Sequence, residues 1–430
     1  MEKIEIKGLK ENVYYEKLPS GLDVYLWEKE NANSFVVSLN VKYGSMHTEF
    51  RTEKEKVYHK IPDGVAHFLE HLNFNLKDGT TAYDLFDKLG TDINAFTTFE
   101  YTSYHLNGTT NLEENIKNLL DYVFSPYFTR KTISNERGII LEEAKMGLDN
   151  PGNIFFYKKL ENMLYNDKRN KRIIGSLENI KKITMGDIKL AYDTFYHPQN
   201  MFMVVTGKID AYKTLLYIKE DMNNRKFKQY DKPIIKRVKE PNKVVKEYEE
   251  IEGNVEIPIV SVGIKVSDNK IPQKTKNNIL LSLILKCNFG STSELKNDLL
   301  EKKLLTSLSF SRNMVSDNLI INVNASTKYP KEIVKLLKKQ FENLTITRED
   351  FERKKRASIA SLVFLYDDPI EVNGGIQDDI IYSKDHKIIS DVKEIYEKVT
   401  YEEALELIKK IDTNNMSILI MNPKKKETVK

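Results

Sequence analysis

One pattern occurs twice in the chain and limits the folds open to it. Ile183-Thr184-Met185-Gly186-Asp187 opens a helix-like stretch leading into Asn200-Met201-Phe202-Met203-Val204-Val205, and Val399-Thr400-Tyr401-Glu402-Glu403 opens another leading into Asn415-Met416-Ser417-Ile418-Leu419-Ile420. In both, Thr followed three residues later by an acid is a helix N-cap signal, and a β-rich run follows the helix. Near the start of each half, Phe35-Val36-Val37-Ser38-Leu39-Asn40-Val41 has a counterpart in Ile259-Val260-Ser261-Val262-Gly263-Ile264-Lys265. Such self-similarity suggests a duplicated domain, although any two α/β segments share some of these features. A chain of 430 residues also exceeds what one hydrophobic core organises, so about two to four domains are expected.

Between the halves, Arg225 to Lys246 is dense in Lys, contains Pro233 and Pro241 and lacks periodicity. It reads as a linker whose charge run is a solvated connector with no partner. The expected division is residues 1–225, a linker at 226–246, and residues 247–430. In the first part, Leu22–Leu26 and Phe35–Val41 are strand-like, Val65–Asn75 has helical apolar spacing, and a further helix follows Thr81 and ends near Gly90. Asn94–Leu106 returns to alternation, and helices are expected over Leu112–Phe124 and from about Ser134 to Leu148.

Composition excludes several partner classes. Lys and Arg total 67 against 63 acids, and the resulting +4 is too thinly spread to point to nucleic acid. The longest apolar runs, such as Phe202–Val205, fall far short of the roughly 20 residues needed for a membrane span. Met1-Glu2-Lys3-Ile4-Glu5-Ile6-Lys7 has neither a secretory apolar core nor an acid-poor organellar bias, so a cytoplasmic location is expected. Cys287 is the single cysteine, so any metal must be held by His, Asp or Glu.

His67-Phe68-Leu69-Glu70-His71 carries the chemistry. On a helix, residues i and i+4 lie one turn apart on the same face, so His67 and His71 can aim their imidazoles at one metal ion. Glu70 projects beside that point and can take the proton of an activated water. The order is the inverse of the more familiar zinc-protease helix. With only 7 His in the chain, this spacing is improbable by accident, and Val65, Ala66, Phe68, Leu69 and Leu72 argue for a half-buried helix rather than a solvated one. A catalytic zinc needs a third protein ligand and an open position. Glu136 and Glu143 are nearly two turns apart on one helix face, whereas Glu142 points elsewhere. Glu143 is the preferred ligand and Glu136 the supporting acid, although acids on a helix are more often solvated surface.

These residues resemble the insulinase-like, inverted-motif zinc peptidases, which include pitrilysin, insulin-degrading enzyme and the mitochondrial processing peptidase. The similarity covers most of residues 1–215 and includes the downstream segment Glu136-Arg137-Gly138-Ile139-Ile140-Leu141-Glu142-Glu143. The resemblance implies Zn2+ held by His67, His71 and Glu143, with Glu70 catalytic and Glu136 in support. It implies a fold of class α+β, with two homologous domains, each a mainly antiparallel sheet flanked by helices, in the insulinase/LuxS-like metallohydrolase fold. Residues 1–225 would bear the zinc, and residues 247–430 would be the homologous domain without it. Other matching segments are Tyr43-Gly44-Ser45, Gly64-Val65-Ala66, Asn94-Ala95-Phe96-Thr97 and Phe195-Tyr196-His197-Pro198. By resemblance, Asn94, Ala95, Phe96 and Thr97 form a sheet-edge strand that binds a peptide substrate.

One stretch departs from the family. Active members commonly supply an Arg and a Tyr, seven residues apart, from the second domain. Here the corresponding stretch, Gly290–Ser307, puts Leu300 and Ser307 at those positions, with Arg312 a nearby substitute. The expectation is a zinc-bearing subunit of a heterodimer whose insulinase-like partner supplies Arg and Tyr, of the bacterial paired type, some members of which mature ribosomally made peptides. The alternatives are a noncatalytic scaffold subunit of such a complex, or a metal-binding regulator without hydrolysis.

Overall fold

The computed structural model describes residues 1–424 other than 8, 10, 384, 386 and 387. Two compact units form. One comprises Met1–Lys145, Arg172–Arg237 and Leu362–Lys393; the other comprises Met146–Lys171, Val238–Ser361 and Glu394–Lys430.

The first unit is built on a seven-stranded sheet in the order Glu2–Ile6, Glu11–Lys17, Asp23–Glu28, Met201–Gly207, Phe35–Val41, Thr102–Gly108, Asp92–Thr97. All neighbours are antiparallel except Asp23–Glu28 with Met201–Gly207. Phe35–Val41 and Met201–Gly207 are buried along their whole length. Their nearly continuous apolar runs are what a strand covered on both faces requires. One face carries the main core, including Phe68, Leu69, Leu72, Leu119 and Phe195. The other is covered by helix Pro369–Tyr382, whose Val372 and Ile376 pack with Trp27, Phe202 and Val204. That contact also buries a polar network: Ser38 Oγ donates to Asn373 Oδ1 at 2.7 Å, and Asn373 Nδ2 donates to the Val204 carbonyl at 3.1 Å.

The second unit repeats the arrangement of the last five strands in that order, from Asp23–Glu28 to the edge strand Asp92–Thr97. Its order is Tyr248–Gly253, Met416–Pro423, Ile259–Ser267, Asn318–Ser326, Ser307–Val315, and again only the first pair is parallel. The segments matched in sequence occupy equivalent places: Phe35–Val41 pairs with Met201–Gly207 as Ile259–Ser267 pairs with Met416–Pro423. Both Thr-x-x-acid starts are complete capping boxes, Thr184 with Asp187 and Thr400 with Glu403.

The sequential division expected at residues 226–246 differs from how the chain packs. Helix Pro369–Tyr382 returns to the first unit, while helix Pro151–Met163 joins the second, where Phe155 packs on Leu419 and Met421. An apolar helix face suits either sheet, so linear pattern alone does not assign it. The lysine-rich segment is also structured rather than merely solvated. Pro233–Ile235 pairs with Glu49–Thr52. Glu240 is buried, accepts backbone N–H bonds from Tyr165, Asn166 and Asp167, and pairs with Lys265 at 2.7 Å, both side chains 0% exposed.

Candidate metal centre

Gly64 precedes the motif helix, Val65–Asn73, with φ 100°. A Cβ there would lie 2.5 Å from the Ile174 carbonyl oxygen, so glycine is required both by backbone conformation and by close approach. Val65, Ala66, Phe68, Leu69 and Leu72 are buried in the first unit's core. Fixing that face directs His67 and His71 together, their ring centroids 4.7 Å apart. Ligand atoms of His67, Glu70 and His71 all lie within 4.8 Å of one another.

The helix Arg130–Asp149 starts earlier than its sequence pattern suggested and buries Ile133, Ile140 and Ala144. Glu136 and Glu143 each stand three residues beyond an Ile of that stripe, at its margin. Arg137 holds the helix in place: its guanidinium donates to the carbonyls of Ile180, Lys181 and Ile183 at 2.5, 3.1 and 2.8 Å and lies over the Phe68 ring at 5.7 Å. These carbonyls close the helix Leu177–Lys182, where a cation is favoured.

This packing brings Glu143 to the histidines. Its Oε1 is 3.6 Å from His67 Nε2 and its Oε2 is 3.4 Å from His71 Nε2. Tetrahedral zinc with bonds of roughly 2.0–2.1 Å separates its ligand atoms by about 3.3–3.4 Å, so the donor set and spacing fit a zinc ion. Glu143 remains half-exposed, which leaves room for a further ligand. Glu136 reaches the other nitrogen of His71, Nδ1, at 3.4 Å and accepts a hydrogen bond from Asn75 Nδ2 at 3.0 Å. Sequence reasoning missed Asn75; it lies just past the helix end at Asn73, where its amide also donates to the Leu72 carbonyl, and helical spacing gives no signal for it.

The electrostatics are graded. Burial, reinforced by His71, pulls His67 down to about 4, leaving it neutral and able to donate a lone pair. Burial also lowers His71, but Glu136 and Glu143 outweigh it and raise the ring to about 9 when protons are the only cations present. Pairing with His71 holds Glu143 below the usual carboxylate range. Burial lifts Glu70 above that range, against the opposing effect of the hydrogen bond from Thr97 Oγ1 at 2.5 Å. A carboxylate so lifted is better matched to proton transfer near neutrality.

Thr97 ends the edge strand Asp92–Thr97, which pairs on one side with Thr102–Gly108. Asn94 is exposed, Ala95 half-buried and Phe96 37% exposed, so the strand presents an open edge. Asn94 Oδ1 accepts from the Ala95 N–H at 2.8 Å. In the second unit, Leu300 is 41% exposed on helix Glu294–Glu301, and Ser307 starts the edge strand Ser307–Val315. Arg312 does not substitute at Ser307: five residues apart on a strand, the two side chains point to opposite faces. Arg312 shares the face of buried Leu308.

Residues 24–176 match the model described as insulinase (peptidase family M16), and residues 182–358 match that of the peptidase M16 inactive domain. The uncharacterized zinc protease YmfH of Bacillus subtilis is 38% identical over 307 residues, which span 70% of each chain. Zinc protease PqqE of Helicobacter pylori is 27% identical over 340 residues, 74% of each chain. A solved structure described as an M16-like peptidase, from Alicyclobacillus acidocaldarius, superposes with a TM-score of 0.89 at 26% identity, covering 97% of this chain and 100% of that one.

Proposed function

Because the chain belongs to the insulinase family of peptidases, family M16, whose members use zinc, we propose that it hydrolyses peptide bonds in peptides or unstructured polypeptides. His67, His71 and Glu143 are the zinc ligands in this reading, and the observation that carries it is the convergence of Glu143 on both imidazoles. When bound, zinc supplies Lewis acidity that polarises a carbonyl and makes a water nucleophilic near neutral pH.

The chain's own residues do the rest. Glu70 takes the proton of the attacking water and returns it to the leaving amine. Thr97 holds the Glu70 carboxylate in one orientation through its hydroxyl. Glu136, itself steadied by Asn75, fixes the orientation of the His71 ring. A substrate adds as a further strand beside Asn94, Ala95, Phe96 and Thr97, where backbone pairing selects shape over sequence; the Asn94 side chain holding the Ala95 N–H gives way to it.

Leu300 and Ser307 offer no equivalent of the Arg and Tyr that bind the substrate carbonyl in active relatives, and loss of one such donor costs roughly a hundredfold or more. The chain is accordingly read as the zinc-bearing subunit of a heterodimer, enclosing substrate in a chamber completed by an insulinase-like partner and maturing a ribosomally made peptide. The same two positions favour, as a second reading, a noncatalytic scaffold subunit.

The test is to purify the chain with zinc and assay an unstructured peptide, alone and with a paired insulinase-like subunit. Hydrolysis is expected with the partner and lost in Glu70→Gln, with zinc content unchanged. Turnover surviving in Glu70→Gln would overturn the assignment, and full activity of the lone chain would overturn the heterodimer. Zinc binding with no hydrolysis under either condition would favour the scaffold.

A further inference from the structure

Helix Pro151–Met163 of the second unit carries two adjacent lysines in different circumstances. Lys158 has two acids within reach, Glu161 at 3.2 Å and Glu249 at 3.6 Å. Lys159, one residue on, has no carboxylate paired with it among the described residues. It lies one turn after Phe155, whose ring packs against Leu419 and Met421, so the helix face that buries Phe155 also holds Lys159 against the sheet. Its ammonium stands 5.5 Å from the Phe155 ring centroid and 5.8 Å from that of Phe156. Its hydrogen bond goes to the neutral Asn324 Oδ1, at 3.3 Å.

The space beside this ammonium is an open pocket of about 270 Å³. Its polar wall is one face of the strand pair Ser307–Val315 and Asn318–Ser326, where register puts Ser307 opposite Ser326 and Ser309 opposite Asn324. Ser307 and Ser309 are exposed, and Ser307 Oγ donates to Ser326 Oγ at 3.0 Å. The pocket therefore combines one cation, hydroxyl donors on one side and two aromatic rings on the other. An anion with a short apolar stem complements that arrangement, and the volume admits a single residue rather than a folded partner.

We propose that this pocket binds a carboxylate of a peptide, with Lys159 supplying the charge, Ser309 a hydrogen bond, Ser307 a second once its hydroxyl turns from Ser326 to the ligand, and Phe155 and Phe156 the wall for the stem. Burial alone draws the Lys159 ammonium down to about 8, the state of a cation lacking its counter-ion, and a bound carboxylate would reverse that shift. The ligand class rests on the peptidase reading above, whereas the pocket rests on its own geometry. Two sources present the same chemistry, a free peptide C-terminus and an acidic side chain.

The experiment measures binding of fluorescein-labelled unstructured peptides to the full chain carrying Glu70→Gln, so that no peptide is consumed. Peptides are compared as free acid and C-terminal amide, and with Glu or Gln in their final residues. Removing the recognised carboxylate is expected to weaken binding about tenfold. Lys159→Gln should erase that difference, Lys159→Arg should retain it, and Lys158→Gln should leave it intact. Dependence on the terminal amide identifies a C-terminus, and dependence on Glu over Gln identifies a side chain. Equal affinities across all four peptides, no measurable binding of any, or a preference persisting in folded Lys159→Gln would overturn the proposal. A melt checks folding, and if Lys159→Gln is unfolded, loss of the preference in Lys159→Arg or Lys158→Gln would also overturn it. Zinc content and hydrolysis by the unsubstituted chain are read separately. Charge-dependent binding with no hydrolysis by the unsubstituted chain, either alone or with the paired insulinase-like subunit, sinks the peptidase reading and leaves the pocket; hydrolysis without charge preference does the reverse.

Discussion

Glu136 stands 3.4 Å from Nδ1 of His71, on the opposite side of the ring from Glu143. One imidazole is thus held between two carboxylates, of which one is placed to share a metal and the other to orient the ring. Glu136→Gln keeps the shape and removes the charge. Its zinc affinity is expected to fall about 10–100-fold, as for other partners of metal-bound histidines, and competition with a chromogenic chelator measures it. An unchanged affinity would mean that Glu136 does not act through His71.

Thr97 reaches Glu70 from a different element, and its hydroxyl is the side-chain donor to that carboxylate. Thr97→Val removes the donor at nearly constant volume. A drop in kcat of about tenfold is expected, the order of one hydrogen bond to a charged group, with zinc stoichiometry unaffected. Steady-state kinetics on the active assembly would decide it; a rise in KM with kcat unchanged would assign Thr97 to substrate binding instead.

Gly64 allows the chain to enter the motif helix at φ 100° beside the Ile174 carbonyl. Gly64→Ala should destabilise the first unit by about 1–3 kcal/mol from the backbone alone, with the close contact adding to it. The thermal midpoint reports the loss, and zinc content should fall with it because His67 is three residues into the helix. A midpoint equal to that of the unsubstituted chain would show that the loop relaxes freely.

Lys265 and Glu240 form a fully buried pair, and Lys265 also donates to the Met163 carbonyl at 2.8 Å. Lys265→Met leaves the Glu240 charge without its counter-ion in the interior. A cost of about 3–5 kcal/mol is expected in urea unfolding of the second unit, since breaking a buried pair from one side costs far more than its net worth. A loss below about 1 kcal/mol would place the pair in the range of exposed ones.

Much of the site was legible in the sequence because its elements are locally coded. Helical periodicity alone brings His67, Glu70 and His71 to one face, and the Thr184 and Thr400 capping boxes are set by neighbours three residues away. The duplicated arrangement was visible for the same reason: strands covered on both faces carry continuous apolar runs, and those runs recur in order. Glu143 could be chosen over Glu142 by helix face, and the resemblance to a family motif pointed to the same residue.

What the tertiary structure decided are the relations that no local period contains. The distances from Glu143 to the two histidines, the Asn75 and Thr97 contacts, and the Arg137 clamp on the end of a neighbouring helix all join elements far apart in the chain. The return of helix Pro369–Tyr382 to the first unit and the pairing of Lys159 with the neutral Asn324 rather than with an acid among the described residues are of the same kind. An amino-acid sequence sets which face of each element is apolar and which groups it can offer. Which faces meet depends on how whole elements fill a common core, and that choice, made by packing rather than by neighbouring residues, places the third ligand, orients the base and leaves one lysine facing an open pocket.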